Sequence, residues 1–99
     1  MIENFLLEGK KNAISSQRLA DMTGCKSIRE LQQMIAKERA RGIVILSTCQ
    51  NGGGYFLPTG NRHEVVEFIQ TLRRRAKNTL EAIKSAEAYL QKLDEVENE

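Results

Sequence analysis

The chain is poor in reactive side chains: two cysteines, one histidine, one proline, no tryptophan and no long apolar run. Each scarcity excludes something. Cys25 and Cys49 lack CxxC spacing, and with only His63 beside them a four-ligand zinc site is not available within one chain. A disulfide does not suit a cytosolic protein, so both cysteines read as small, partly buried apolar residues. No stretch approaches the roughly 20 apolar residues that cross a bilayer. Met1 to Glu8 carries acidic residues and does not read as a signal peptide. A soluble, cytoplasmic protein is expected, with no membrane contact. Gly52-Gly53-Gly54 lies between two apolar runs and does not open a helix, so it fails the context test for a nucleotide loop. With no nucleophile–base pair and no metal cluster either, neither an enzyme nor a cofactor or metal is expected. His63 has no partner that would make it a ligand or base.

What is present fits one small domain of 99 residues, 40% of them hydrophobic. The net charge of +2 hides an asymmetry. Residues 1–63 hold nine Lys/Arg against five acids, and residues 64–99 hold six against eight. A basic N-terminal part suits a polyanion, and an acidic tail suits solvent or another protein.

Local punctuation organises the chain. Ile2, Phe5 and Leu6 have helical spacing, with Gly9 as a stop. Lys10-Lys11-Asn12 is a polar loop, and Ala13-Ile14 can pair briefly as a strand. Ser15 is an N-cap for a helix that places Leu19 and Met22 on one face and Ala20 at a close crossing, and Gly24 ends it. Ser27-Ile28-Arg29-Glu30 fits a capping box, which starts a second helix running to about Arg41, with Gly42 as its stop. Ile43-Val44-Ile45-Leu46 and Tyr55-Phe56-Leu57 flank a Gly-rich tip, so a hairpin is expected, closed by Pro58.

Asn61-Arg62-His63-Glu64 is a second N-x-x-E start signal. From there to about Val96 no Pro or Gly interrupts. Val65, Ile69, Leu72, Ala76, Thr79, Ile83, Ala86, Leu90 and Leu93 alternate steps of four and three, a heptad seam. A helix of about 35 residues is about 50 Å long. Its distal half cannot bury that seam on a small domain, so a homodimer seam through Ile69, Leu72, Ala76, Ile83, Leu90 and Leu93 is expected. The alternative is a break near Ala76 and Thr79 with the distal helix folding back. Division into residues 1–60 and a helical dimerisation element, 61–97, follows.

On a helical wheel, Ile28, Leu31, Met34 and Ile35 cluster toward a core. The opposite side carries Arg29, Gln33 and Lys37, with Lys26 just before the helix, and Ala36 and Ala40 leave room for close approach. Arg pairs with guanine and Gln with adenine in a major groove, while Lys suits phosphate. Arg29 and Gln33 are the candidate base-edge contacts; Lys26, Ser27 and Lys37 are the candidate phosphate contacts. The hairpin tip offers only Gln50 and Asn51 as wing contacts, without a cation. Arg73-Arg74-Arg75 spreads over about 200° of a helix, so it is not one patch. One or two of these could reach a DNA backbone, with the rest pairing with Glu64, Glu67 or Glu81.

Three stretches carry a family resemblance. Ser15-Ser16-Gln17-Arg18-Leu19-Ala20-Asp21-Met22-Thr23-Gly24, Ser27-Ile28-Arg29-Glu30-Leu31 and Arg41-Gly42-Ile43-Val44-Ile45 together resemble winged helix-turn-helix domains of the biotin-repressor type. Gly53-Gly54-Tyr55-Phe56-Leu57-Pro58, followed by an Arg-rich long helix, is similar to small phage and prophage proteins of Gram-positive bacteria. The resemblance covers residues 12–77. It implies an α+β, mainly α, fold: a winged helix-turn-helix with a two-stranded β-hairpin wing and a long C-terminal helix. It also implies DNA contacts at Arg29, Gln33 and Lys37. There are two departures. Lys26 looks like an insertion in the turn, and Glu38 stands where such helices often carry Leu, which suggests a looser core or a salt bridge with a nearby Arg. No ligand or catalytic domain follows, so biotin binding is not implied. The function expected is sequence-specific binding of double-stranded DNA by a transcriptional, replication or excision regulator. The alternative is a protein-interaction adaptor that uses the same domain and the acidic tail without reading DNA.

Overall fold

Two short-range caps fix the first two helices of the computed structural model, which describes residues 1–97. Ser15 is extended and its hydroxyl accepts the Arg18 N–H at 3.3 Å, so helix α1 is Ser16–Thr23. Gly24 ends it in the left-handed conformation, φ 75°, where a Cβ is disfavoured. Ser27 accepts the Glu30 N–H at 3.1 Å and starts helix α2, Ile28–Ala40. The Glu30 carboxylate reaches back to the Lys26 N–H at 3.4 Å, one residue before the donor that a capping box uses.

Leu19 and Ala20 of α1 and Leu31 and Ile35 of α2 are buried together with Ile2, Leu6, Ile14 and Ile45 in one core. Each large apolar side chain so placed contributes about 1.5–3 kcal/mol. Met34 packs at its margin, as the wheel predicts. Met22 and Ile28 do not follow the wheel: they are 43% and 38% exposed. Each lies in a terminal turn next to the Gly24–Ser27 connection, at the periphery of the core.

The first eight residues are not an α-helix ended by Gly9. Ile2–Phe5 is a single 3-10 turn, and Leu6 is extended. Pairing to a distant strand takes over from there. The Leu57 N–H donates to the Leu7 carbonyl at 2.8 Å, and the Gly9 N–H donates to the Leu57 carbonyl at 2.9 Å. Lys10–Asn12 forms a second 3-10 turn. Ile14 then pairs with Tyr55 through two backbone hydrogen bonds of 2.9 Å, the brief strand pairing that Ala13-Ile14 suggests.

The hairpin forms with its first strand displaced. Strand β1 is Leu46–Thr48 and strand β2 is Gly54–Phe56; they are antiparallel, with Leu46 opposite Phe56 and Thr48 opposite Gly54. Of the expected run Ile43–Leu46, only Leu46 belongs to the ladder. The end of α2 claims the others. The Ile43 N–H donates to the Glu38 carbonyl at 3.1 Å, and the Arg39 guanidinium donates to the Ile45 carbonyl at 2.9 and 2.7 Å. The Arg39 head also lies 5.0 Å from the Phe68 ring centroid and 6.0 Å from that of Tyr55. Arg39→Lys should cost about 1–2 kcal/mol in urea unfolding, because an ammonium loses the planar fork and much of the stacking. A variant as stable as the wild type would show that the fork contributes nothing.

Glu38 is the largest departure from expectation. Its carboxylate pairs with the Met1 amine and not, among the described residues, with an arginine. It is 5% exposed, and its carboxylate accepts the Ile2 N–H at 2.9 Å, the Glu3 N–H at 3.3 Å and the Met1 amine at 3.1 Å. The carboxylate therefore caps the first turn of the chain from 36 residues away.

Helix α3, Arg62–Glu97, starts with the His63 N–H donating to Asn61 Oδ1 at 2.9 Å. Glu64 does not complete a capping box with Asn61; it accepts the Lys10 N–H at 3.2 Å. The chain divides into two units inside this helix. The first ends at Phe68 and so includes the opening turns of α3. The second, from Ile69, is helical throughout its described residues, with no break at Ala76 or Thr79. The Thr79 hydroxyl returns to the Arg75 carbonyl at 2.9 Å, which satisfies that polar seam position within the helix. The protein is α+β and mainly helical, with one two-stranded antiparallel sheet and a long C-terminal helix. No helix among the described residues is long and apolar enough to cross a membrane.

Candidate nucleic-acid interface

Leu31 and Ile35 anchor α2 from below, so the residues opposite them stand outward. Arg29, Gln33 and Lys37 are all exposed, as are Ala36 and Ala40 on the same side. Successive members of the Arg29–Gln33–Lys37 row rise about 6 Å along the axis. No hydrogen bond or ion pair within the described residues engages these three side chains. The row is therefore not an internal salt-bridge ladder, and its donors remain available to an external acceptor.

At the start of α2, Lys26 and Ser27 are exposed beside it. The Ser27 oxygen is used by the Glu30 N–H, which leaves its hydroxyl proton to donate outward. The Glu30 carboxylate occupies the neighbourhood that an anion would prefer at a helix N-terminus. An incoming phosphate is consequently better served by the Lys26 ammonium than by the helix terminus. Lys26 does not disrupt the turn: its N–H is held by Glu30, and the Cys25 N–H donates to the Ala20 carbonyl at 3.0 Å.

Gln50 and Asn51 are exposed in a 3-10 turn at the hairpin tip. Asn51 is left-handed at φ 52°. The tip has no cation of its own, but the fold supplies one from elsewhere. A cleft of about 570 Å³ is lined by Gln50 and Asn51 together with Lys10, Lys11, Thr48 and Glu64, and by no residue of α2. Lys11 is exposed there, while the Lys10 ammonium is held by Glu67 at 2.7 Å. Sequence reading missed this juxtaposition because the two loops are about 40 residues apart and no local signal links them.

Glu67 also faces His63 Nε2 at 3.6 Å. The Lys10 hydrogen bond holds its carboxyl below the usual carboxylate range against the opposing effect of desolvation, with Lys10 and His63 charges adding to the lowering. Glu64 and Glu67 thus both reach the Lys10–Asn12 loop, Glu64 at the Lys10 N–H and Glu67 at its ammonium. Among the described residues there is no group of three His, Cys, Asp or Glu able to hold a metal. Neither cysteine is in a disulfide. Cys25 is half-buried against Met34, and Cys49 is exposed rather than partly buried. The seam residues Ile69, Ala76, Ile83, Leu90 and Leu93 are exposed, and Leu72 is half-buried.

No protein-family model, curated protein or solved structure was found to match this chain.

Proposed function

We propose that the first unit is a winged helix-turn-helix domain that binds double-stranded DNA by laying α2 in the major groove. The single observation that carries this reading is the exposed, internally unengaged row Arg29–Gln33–Lys37 on a helix firmly anchored through Leu31 and Ile35. Arg29 and Gln33 read base edges; Lys26, Ser27 and Lys37 hold phosphates. Lys11 beside Gln50 and Asn51 adds a cation to the hairpin side that the tip itself lacks. The protein acts as a homodimeric regulator of transcription, replication or excision, with α3 joining two copies so that two half-sites are read together.

Selection of bound sites from random duplexes, followed by a salt titration, tests the reading. Arg29→Ala should weaken the selected site by about 5- to 150-fold and relax preference at one base pair. Lys37→Ala should weaken all sequences alike and lower the salt slope by about 1. Absence of duplex binding by the wild type at low salt overturns the proposal and leaves the protein-adaptor alternative.

A further inference from the structure

The second unit is a helix with an uncovered apolar face: Ile83 is 46% and Leu90 57% exposed. Two features of this face bear on what covers it. First, its seam alternates bulk. Ala76, Thr79 and Ala86 are small, whereas Ile83, Leu90 and Leu93 are large. Second, its charge is segregated. Arg73, Arg74, Arg75 and Lys77 come first, and Glu87, Asp94, Glu95 and Glu97 come last, with Glu81, Lys84 and Lys92 as the exceptions.

We propose that α3 pairs with α3 of a second copy in antiparallel orientation, in the register that sets Ala76 against Leu93, Thr79 against Leu90 and Ile83 against Ala86. This rests on the reading above that α3 joins two copies. A parallel pair would stack each seam residue on itself. Ala76, Thr79 and Ala86 would then face their own copies and leave gaps between layers of large residues, which close packing does not tolerate. The antiparallel register gives each of the six layers between Ala76 and Leu93 one small and one large side chain. Sliding one copy by a heptad in either direction destroys this match, setting Ala76 on Ala86 or Ile83 on Leu93.

The charges select the same orientation. A parallel pair brings the two arginine runs side by side and the two acidic ends side by side. The antiparallel pair lays each arginine run along the acidic end of the other helix. In the register given, Arg73 and Asp94 both flank the seam and face each other across it, once at each end. Opposite charges placed so across an interface fix orientation and register more than they add affinity. The two Ile69 positions then lie about 46 Å apart along the axis rather than side by side.

A charge swap tests this on the full chain. Both side chains are exposed, so Arg73→Glu and Asp94→Arg leave the helix intact, which circular dichroism checks. In the antiparallel pair each variant alone carries two like-charge contacts, and its dimer dissociation constant should rise about tenfold. Mixing the two variants restores both contacts as Glu–Arg and Arg–Asp pairs. The heterodimer should therefore form in excess over either homodimer, with affinity close to that of the wild type. Sedimentation and fluorescence energy transfer between labelled variants read this out. Dimers without heterodimer preference overturn the orientation and leave the dimer standing. A wild-type monomer at tens of micromolar overturns both. Neither result bears on DNA binding by α2.

Discussion

Gly54→Ala should lower the stability of the first unit by about 3–5 kcal/mol, the largest effect expected of any single methyl group in the chain. Gly54 opens β2 at φ 151°, where L side chains are rarely found. A Cβ there would lie 2.7 Å from the Ile14 carbonyl oxygen and 2.8 Å from its carbon. Both atoms belong to backbone held by the paired Ile14–Tyr55 hydrogen bonds, so neither can move aside without breaking them. The chain must give up either that bridge or the ladder end at Thr48. Small domains have only about 5–15 kcal/mol in total, so a large fraction of the variant should be unfolded in mild urea. Gly52→Ala is the matched control. Its φ is also positive, at 88°, but nothing lies within 4 Å of the added Cβ. It should cost about 1 kcal/mol of backbone strain. Equal losses in the two variants would show that the contact with Ile14 is not the cause.

Glu38→Gln should cost about 2–4 kcal/mol at neutral pH, and most of that loss should disappear in acid. Burial works against ionisation of the carboxyl, but the Ile2 N–H, the terminal amine and the Glu3 N–H outweigh it. Its pKa is consequently lowered from 4.5. A carboxyl titrating lower when folded contributes stability that is fully present above its unfolded pKa. That contribution is lost as pH falls through the folded value. The wild type should thus lose stability on acidification below about pH 5, and the difference between wild type and variant should shrink with it. Glutamine retains one acceptor oxygen but turns an NH₂ toward backbone donors. Urea unfolding at pH 7, 5 and 3 measures both effects. A difference that stays constant with pH would refute the ionic account.

Short-range physics made much of the architecture legible. Ser15 and Ser27 cap their helices through bonds to residues three positions on, and Gly24 stops α1 by its own conformation. The outward Arg29–Gln33–Lys37 row follows from helical periodicity alone, and the lack of Pro and Gly agrees with the uninterrupted course of α3, where the sequence also allows a break at Ala76 or Thr79. Periodicity misled at the helix ends. Met22 and Ile28 share the phase of the core but lie past its edge. β-propensity misled at Ile43–Ile45, because propensity does not register that α2 takes the Ile43 N–H and the Ile45 carbonyl for its own end. The candidate interface was legible on α2 and illegible at the hairpin, where Lys11 arrives from a distant loop.

The sequence by itself determined where α1, α2 and α3 begin and stop, though not the fold of the first eight residues, and it determined which face of α2 is polar and that α3 carries a seam. Those depend on neighbours within a turn or two, and residue order specifies such neighbours directly. Only the tertiary structure decided the use of Glu38 as a cap on the chain's first turn, the grip of Arg39 on Ile45 and Phe68, and the union of Lys10 with Glu64 and Glu67. Each of these joins a charge to a group that residue order does not set beside it, and the Glu38 carboxylate is buried with its partners. Such a charge is stable in that place only after the chain has closed around both partners.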